Sequence, residues 1–440
     1  MSREIKVGLL GFGTVGSGTA EILLEQSELL KRRSGLQIRL ARICDKDTET
    51  PRGLELPPGI LTDDVNVLLD DPEIDIFIEL MGGLEPARTF VLEAMKKGKH
   101  VVTANKALLA MHGREIFGAA EEYGVSVGFE ASVGGGIPVI KAVKEGLIGN
   151  HLTTVMGIMN GTANYILTRM TDEGLDYEDA LQEAQRLGYA EADPTYDVEG
   201  IDTAHKLTIL ASLSFGVKVE LSDVFTEGIT RLSLLDIDFA RDLGYRIKLL
   251  AIARNTKHGT ELRVHPTMVP ESHLLGQIGG AYNAFYIIGD SVGKVLLYGL
   301  GAGKMPTGSA VVADVVDMAR NIASSASVQT SSFGIPFKSL GSPDLIPMDS
   351  LVSRYYFRFS VLDRPGVLAG IAGILGDLGI SIESVVQEGR GSEASVSIVM
   401  LTHEAEEVRV SRALKKIDAL DVVSDRTVVI RIEDLQALEG

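Results

Sequence analysis

One cysteine, no tryptophan and an aromatic content of only 5% set this 440-residue chain apart by what it omits. The lone Cys44 permits no intramolecular disulfide, which fits a reducing compartment. Positive charge is scarce, leaving a net charge of −18. Nucleic acid and anionic membranes both select basic surfaces, so neither is an expected partner. No apolar run reaches the ~18 residues needed to span a bilayer. The N-terminal "MSREIKVGLLGFG" enters a strand-like run at once, without the basic, apolar and cleavage regions of a leader. A cytoplasmic protein is expected. The eight histidines are scattered and have only one cysteine to join them, so they offer no zinc-ligand cluster.

What is present is the composition of a globular protein, 45% hydrophobic, with 48 glycines that imply many tight turns and close backbone approaches. Short apolar β-branched runs alternate with helical patterns: "IKVGLL", "IRLARICD", "IDIFIEL", "HVVTA" and "VSVGFEAS" read as strands. "TAEILLEQSELLKRR", "TDDVNVLLDD", "EPARTFVLEAMKKG" and "IFGAAEEYG" read as helices between them. Such alternation predicts an α/β fold with a Rossmann-like doubly wound parallel sheet over residues 1–135. Residues 136–310 mix helices with β-rich stretches and read as an α+β substrate, catalytic and dimerisation domain. Residues 311–350 hold a helix returning to the nucleotide domain and a linker, clearest at 326–353, where Ser, Pro and Gly concentrate. The order of patterns over residues 354–437 is βαββαβ, a ferredoxin-like module.

"GFGTVG" carries Gly11, Gly13 and Gly16 in GxGxxG spacing between a strand and a helix. Gly11 permits the tight turn, Gly13 admits a pyrophosphate to the backbone at the helix N-terminus, and Gly16 lets helix and strand pack closely. The stretch also brings Phe12, Thr14 and Val15 to a dinucleotide. Asp45, ending the second strand, is the candidate reader of the ribose. An acid there favours NAD; Arg42, Lys46 and Arg52 nearby would accommodate NADP. The choice stays open.

Cys44 lies beside the adenosine half, away from any carbon that a thiolate would attack. With no cysteine nucleophile and no zinc, the remaining chemistry is a metal-free hydride transfer, which needs a group to exchange a proton with the alcohol oxygen. "DVEGIDTAHKL" supplies one. Asp202 and Lys206 are about 40° apart on a helix, and Ile209, Leu210 and Leu213 continue their face. Charges at the head of an apolar stripe suggest the floor of a cleft. His205 points along a different angle and reads as a bystander.

The spaced pattern from Ala184 through Gly188, Asp193, Pro194, Asp197, Gly200 and Asp202 to Lys206 resembles the signature of homoserine dehydrogenase. "TANK", "EASVGGGIPVIK", "GIMNGTANYIL", "GAGKMPTGSAVVAD" and "LIPMDSLVSRYYFR" extend the resemblance across residues 5–358. It implies reversible NAD(P)-dependent hydride transfer between L-homoserine and L-aspartate 4-semialdehyde, on the route to threonine, methionine and isoleucine. It implies proton transfer by Lys206, with Lys106 and Asp202 beside it. Gly188, Glu191, Asp197 and Asp202 would hold the amino acid; Thr103, Lys106 and Gly303 would meet the cofactor. Backbone oxygens of Glu130, Val133, Gly135 and Ile137 would bind a monovalent cation, sodium.

"VLDRPGVLAGIAGILGDLGISIESVVQEG" resembles an ACT domain. The resemblance implies an amino-acid effector, threonine, at the turn Asp363, Gly366, Val367 and Leu368, usually across a dimer. A homodimer or homotetramer is expected, and a fused aspartate kinase is not expected ahead of a glycine loop that starts so early. Ser381 departs from the Asn common in amino-acid-binding members. Two other readings compete: a different Rossmann-plus-ACT dehydrogenase, and a non-catalytic nucleotide-binding amino-acid sensor.

Overall fold

Ile5, Val7 and Leu9 line one face of "EIKVGLL" and Gly8 and Leu10 continue the other beyond Lys6, and the segment forms a strand buried on both sides from Val7 onward. In the computed structural model, which describes residues 4–324, 331–387 and 395–434, this strand is the centre of a six-stranded sheet. Its members are β1 (Glu4–Leu10), β2 (Gln37–Cys44), β3 (Leu61–Thr62), β4 (Ile76–Glu79), β5 (His100–Thr103) and β6 (Val127–Gly128). They lie in the order β3-β2-β1-β4-β5-β6, every neighbouring pair parallel. The doubly wound sheet expected from the alternation is therefore present. Residues 326–330 of the linker, 393–394 of "EASVSIVML" and 435–437 of the last module lie outside the described residues.

Eleven more strands follow: β7 (Leu152–Ile158), β8 (Phe225–Thr226), β9 (Tyr245–Thr256), β10 (Gly259–Pro270), β11 (Tyr282–Gly289), β12 (Gly293–Leu300), β13 (Val352–Leu362), β14 (Ile382–Gln387), β15 (Ser395–Thr402), β16 (Ala405–Glu406) and β17 (Val428–Ile432). The chain divides into two compact units. The first holds residues 1–161, 202–224 and 282–343. In it β11 pairs antiparallel with both β7 and β12. The helix Lys304–Ser324 returns to the nucleotide-binding sheet, where Ala310, Val311, Val315 and Ala319 share one core with Ile5, Val7 and Leu9. The approach is close because Gly308 meets the backbone of Gly18 and Thr19.

The second unit holds residues 162–201, 225–281 and 344–440. The long hairpin β9–β10 is extended by β8 and β17, both parallel to β10. β17 in turn pairs with β13, β13 with β15, and β15 with β14, giving the order β17-β13-β15-β14 of a βαββαβ module. Its helices, Val367–Asp377 and Glu407–Ile417, pack Ile371, Leu375, Val410 and Ile417 on Phe357, Phe359 and Ile398.

Three elements differ from the pattern reading. "TAEILLEQSELLKRR" forms two helices, Thr14–Glu25 and Ser27–Ser34, separated at Gln26. "TDDVNVLLDD" keeps only Asn66–Leu69 helical. Asp64, just before it, accepts the Asn66 amide, and Asp71, standing before Pro72, is biased away from helical backbone. "VSVGFEAS" stops as a strand after Gly128 and tightens into a 3-10 turn, Glu130–Ser132. Glu130 causes this: its amide donates to Asp314 at 2.8 Å and its carboxylate accepts from the amides of Ile140 and Lys141.

Candidate active site

In the first unit the glycine loop divides its labour as the spacing demands. Gly11 has φ +94°, and a Cβ there would lie 2.5 Å from the backbone of Leu80. A Cβ on Gly16 would lie 2.0 Å from the carbonyl of Gly11. Gly13 differs: it is exposed, and a Cβ would meet nothing within 4 Å. Two glycines are thus required by the fold, and the middle one faces open space. Thr14 and Val15 begin the following helix, which has no side-chain cap on its first amides. Free amides beside an open glycine suit a pyrophosphate.

Asp45 is fixed against this loop. One oxygen accepts the Phe12 amide at 2.5 Å and the other accepts that of Asp47 at 2.9 Å. Each retains lone-pair capacity for a ribose hydroxyl. Arg52 donates through Nε to the carbonyl of Phe12 at 3.0 Å and pairs with Asp47. The acid and a guanidinium therefore attend the same turn.

The segment 301–308 lies against the start of the first helix. A Cβ on Gly18 would touch the Lys304 carbonyl, and one on Gly135 would touch that of Gly301. Gly303, with φ +129°, accepts the Thr307 amide at the head of the long helix. Thr103 is at the same edge, but its side chain is spent in the interior. Its hydroxyl donates to Glu79 at 2.7 Å and accepts the Asn105 amide at 3.0 Å. Only its main chain is left to meet a cofactor. Asn105 then caps the helix Lys106–Tyr123 through the Leu108 amide, which sets Lys106 at the first helical position.

Lys106 meets the feature that the sequence left odd. The helix Ile201–Phe215 is buried on every side from Asp202 to Leu213, rather than along one stripe. Asp202, 3% exposed, receives Lys206 Nζ at 2.7 Å on one oxygen and Lys106 Nζ at 2.9 Å on the other. Asn160 Nδ2 adds a third bond at 2.9 Å. Burial opposes the charge of this carboxyl, but the two ammonium groups and Asn160 prevail and hold its pKa well below the usual carboxylate range. Lys206 also donates to the carbonyl of Met159 at 2.7 Å, which Asn283 Nδ2 grips at 3.0 Å. The Lys206 side chain is 10% exposed and that of Lys106 34%. His205 is buried in the same helix, and burial pushes its imidazole pKa down.

The sequence reading missed Asn160, Asn283 and the Met159 carbonyl. "GIMNGTANYIL" holds the available signal, an amide at the end of a buried strand just before a helix, where Lys206 finds its oxygen. Asn283 sits far along the chain with no local mark. Its Oδ1 is buried and has no hydrogen-bond partner among the described residues.

The expected cation loop is also in the first unit. Gly134 and Gly135 are consecutive left-handed residues. The carbonyl of Glu130 accepts the Val133 amide and that of Ile137 accepts the Val139 amide. A carbonyl has two lone pairs, so these hard oxygens, with Val133 and Gly135, fit a weakly held monovalent ion. Among the described residues no three His, Cys, Asp or Glu side chains group to hold a metal.

Three of the expected substrate residues belong to the second unit. Gly188, with φ +78°, follows the helix Tyr177–Arg186. Glu191 is exposed, with its carbonyl held by Gln185. Asp197 is in the short helix Thr195–Val198. The effector turn lies in this unit as well: Gly366, φ +92°, precedes the helix Val367–Asp377, with Asp363 and Leu368 exposed and Val367 buried.

Comparison with known proteins gives the family. The family model for homoserine dehydrogenase matches residues 138–316, its NAD-binding domain residues 11–130, and the ACT domain residues 355–422. The chain belongs to the homoserine dehydrogenase family. The homoserine dehydrogenase of Pseudomonas aeruginosa is 46% identical over 98% of this chain and all of that one. That of Bacillus subtilis is 39% identical over 98% of this chain and 99% of its own. A crystal structure of the Thiobacillus denitrificans homoserine dehydrogenase superposes with a TM-score of 0.92 at 49% identity, covering 98% and 99% of the two chains. A hyperthermophilic archaeal homoserine dehydrogenase in complex with NADPH aligns with 72% of this chain and 97% of its own, at TM-score 0.61 and 26% identity. The competing readings, a different Rossmann-plus-ACT dehydrogenase and a sensor without catalysis, gain no support from these relatives.

Proposed function

We propose that this chain interconverts L-homoserine and L-aspartate 4-semialdehyde with NAD or NADP, in the cytoplasm, as a step toward threonine, methionine and isoleucine. The observation that carries the reading is Asp202 bridging Lys206 and Lys106. A bound nicotinamide would supply the chemistry of hydride exchange with the substrate carbon. Gly11–Gly16, Asp45, Thr103, Lys106 and Gly303 would hold it.

The rest is the work of side chains. Asp202 stays anionic inside the fold, so both lysine side chains converge on its two oxygens. Negative charge on the carbonyl oxygen develops as hydride arrives, and two ammonium groups favour that charge. Lys206 gives its proton to the oxygen, yielding the alcohol and a neutral amine; in the reverse direction the amine takes the hydroxyl proton. The Met159 carbonyl and Asp202 fix the direction of Nζ. Gly188, Glu191 and Asp197 bind the amino-acid end of the substrate, where a carboxylate matches the α-ammonium group. The carbonyls of Glu130, Val133, Gly135 and Ile137 would hold sodium. Threonine binds at Asp363, Gly366, Val367 and Leu368 in a homodimer or homotetramer and reduces activity.

The test is NAD(P)⁺ reduction with L-homoserine by wild type and Lys206→Ala. Turnover by the first, and loss of about 10²–10⁴-fold with cofactor binding kept in the second, is expected. Absence of turnover with homoserine, or an unimpaired variant, would overturn the reading.

A further inference from the structure

Arg431 lies on the last strand of the ACT module, yet its contacts lead to the substrate signature. Its Nη2 and Nε grip the two oxygens of Glu407 at 2.6 and 3.0 Å, and Tyr355 donates to the same carboxylate. The guanidinium carbon is 5.1 Å from the ring centre of Phe225. Its remaining arm, Nη1, donates to Glu227 at 3.0 Å. Glu227 is the first residue beyond β8, and its amide is tied to Val264 on β10.

The next three residues clasp the signature. A Cβ on Gly228 would lie 2.4 Å from the Val198 carbonyl and 2.5 Å from Glu199 Cα, so only glycine fits. The Ile229 amide donates to the Val198 carbonyl at 2.8 Å. Thr230 donates its hydroxyl to Glu199 at 2.8 Å. From the other side, Gly200 presses on Val264 and Thr226, where a Cβ would meet them at 3.1 and 3.3 Å. Val198 and Glu199 directly follow Asp197, a proposed substrate residue. Arg431 therefore reaches the substrate segment through one side chain and one short strip of backbone.

We propose that Arg431, through Glu227, is a positioning residue for the substrate: it holds residues 227–230 as the clasp that sets Asp197–Gly200. This rests on the homoserine dehydrogenase reading and adds that the ACT module supplies part of the support of the substrate segment. Glu227→Gln removes the charge from the link while Glu407 still pairs Arg431. Thr230→Val cuts only the bond to Glu199.

The experiment measures kcat, both KM values and backbone hydrogen exchange of wild type, Glu227→Gln, Thr230→Val and Arg431→Lys. The expected result is a KM for L-homoserine raised about 5- to 10-fold, with kcat and cofactor KM within about two-fold, an effect of weakened ground-state binding. Exchange should rise at residues 195–201 and stay unchanged in β13 and β15. Glu227→Asp should restore part of the KM. An unchanged KM for homoserine, or a fall in active enzyme with KM intact, would overturn the proposal. Wild type without homoserine turnover would defeat the dehydrogenase reading instead; unchanged exchange at 195–201 in Glu227→Gln and Arg431→Lys would then still refute the clasp.

Discussion

Replacing Asp202 by Asn keeps the shape of the side chain and deletes the charge on which two lysines converge. An Asn oxygen can still accept from one Nζ. Its amide must then face the other lysine, and Asn160 Nδ2 as well when the oxygen is given to Lys106, donor against donor. Lys206, almost fully enclosed, is left without its carboxylate. Breaking a buried pair by removing one partner costs about 3–5 kcal/mol. Lys106 is about one-third exposed, so water screens its loss and adds at most about 1 kcal/mol. The expected destabilisation is therefore about 4 kcal/mol at pH 7, read by urea unfolding.

The pH dependence has a definite sign. The folded pKa of Asp202 is depressed, so its stabilisation is complete above the ordinary carboxylate pKa and fades as pH falls below that range. The gap between wild type and Asp202→Asn should accordingly close in acid. A second variant isolates the cause. If the cost comes from a stranded ammonium, Asp202→Asn combined with Lys206→Met should be more stable than Asp202→Asn alone by about 2 kcal/mol, although inactive. A single variant within about 1 kcal/mol of wild type, or a double variant weaker than either single one, would refute the reasoning.

Gly13→Ala should leave the unliganded fold unchanged, because the methyl enters open space, and raise the cofactor KM at least about 10-fold by blocking the pyrophosphate; Gly16→Ala should instead impair folding, and equal effects on stability would contradict the division of labour. Arg52→Ala should raise the KM for NADP⁺ about 10-fold and that for NAD⁺ far less; parallel changes would remove Arg52 as a discriminator. The carboxyl of Glu433 is buried, a burden outweighed by Arg263 and Arg254, which hold its pKa at about 2. Against 4.5 this corresponds to about 3 kcal/mol, so Glu433→Gln should be destabilised by that order at pH 7, with the difference vanishing between pH 4.5 and 2. Asp363→Ala should abolish the response to threonine with basal turnover kept; inhibition that persists would move the effector elsewhere.

The nucleotide-binding sheet was legible because each strand is a short apolar run buried on both faces and bounded by glycine or polar turns. The ACT module was legible for the same reason: its six elements each carry their own period. Asp202 and Lys206 were visible because they share a helix face. Lys106 came only with the family pattern, since no local periodicity links residues nearly a hundred apart. Asn160 had only the faint mark of an amide closing a buried strand, and Asn283 and the Met159 carbonyl stayed hidden because a lone amide and a main-chain oxygen at strand ends leave no chemical mark in a sequence. The strand expected at "VSVGFEAS" failed for a related cause. Its residues favour extension, but Glu130 is recruited by amides ten and eleven positions ahead, and that long-range capture overrides local preference.

The boundary drawn near residue 350 marks a change of pattern, whereas the charges ignore it. Arg263, 2% exposed on β10, faces Glu433 at 2.6 Å, and Arg254 on β9 bonds the same carboxylate. Asp236, fully buried in the helix Leu234–Asp242, receives Arg358 from β13 at 2.6 Å and the hydroxyl of Tyr356. Cutting the chain at 350 would therefore strand two arginines and an aspartate inside the remaining β-rich unit, each a cost of several kcal/mol. A truncated chain that loses activity would say nothing about effector sensing, since the loss follows from unpaired charge alone. Substitutions confined to the exposed residues 363–366 of the turn leave those pairs intact, and they are what can separate the module's role as sensor from its role as structure.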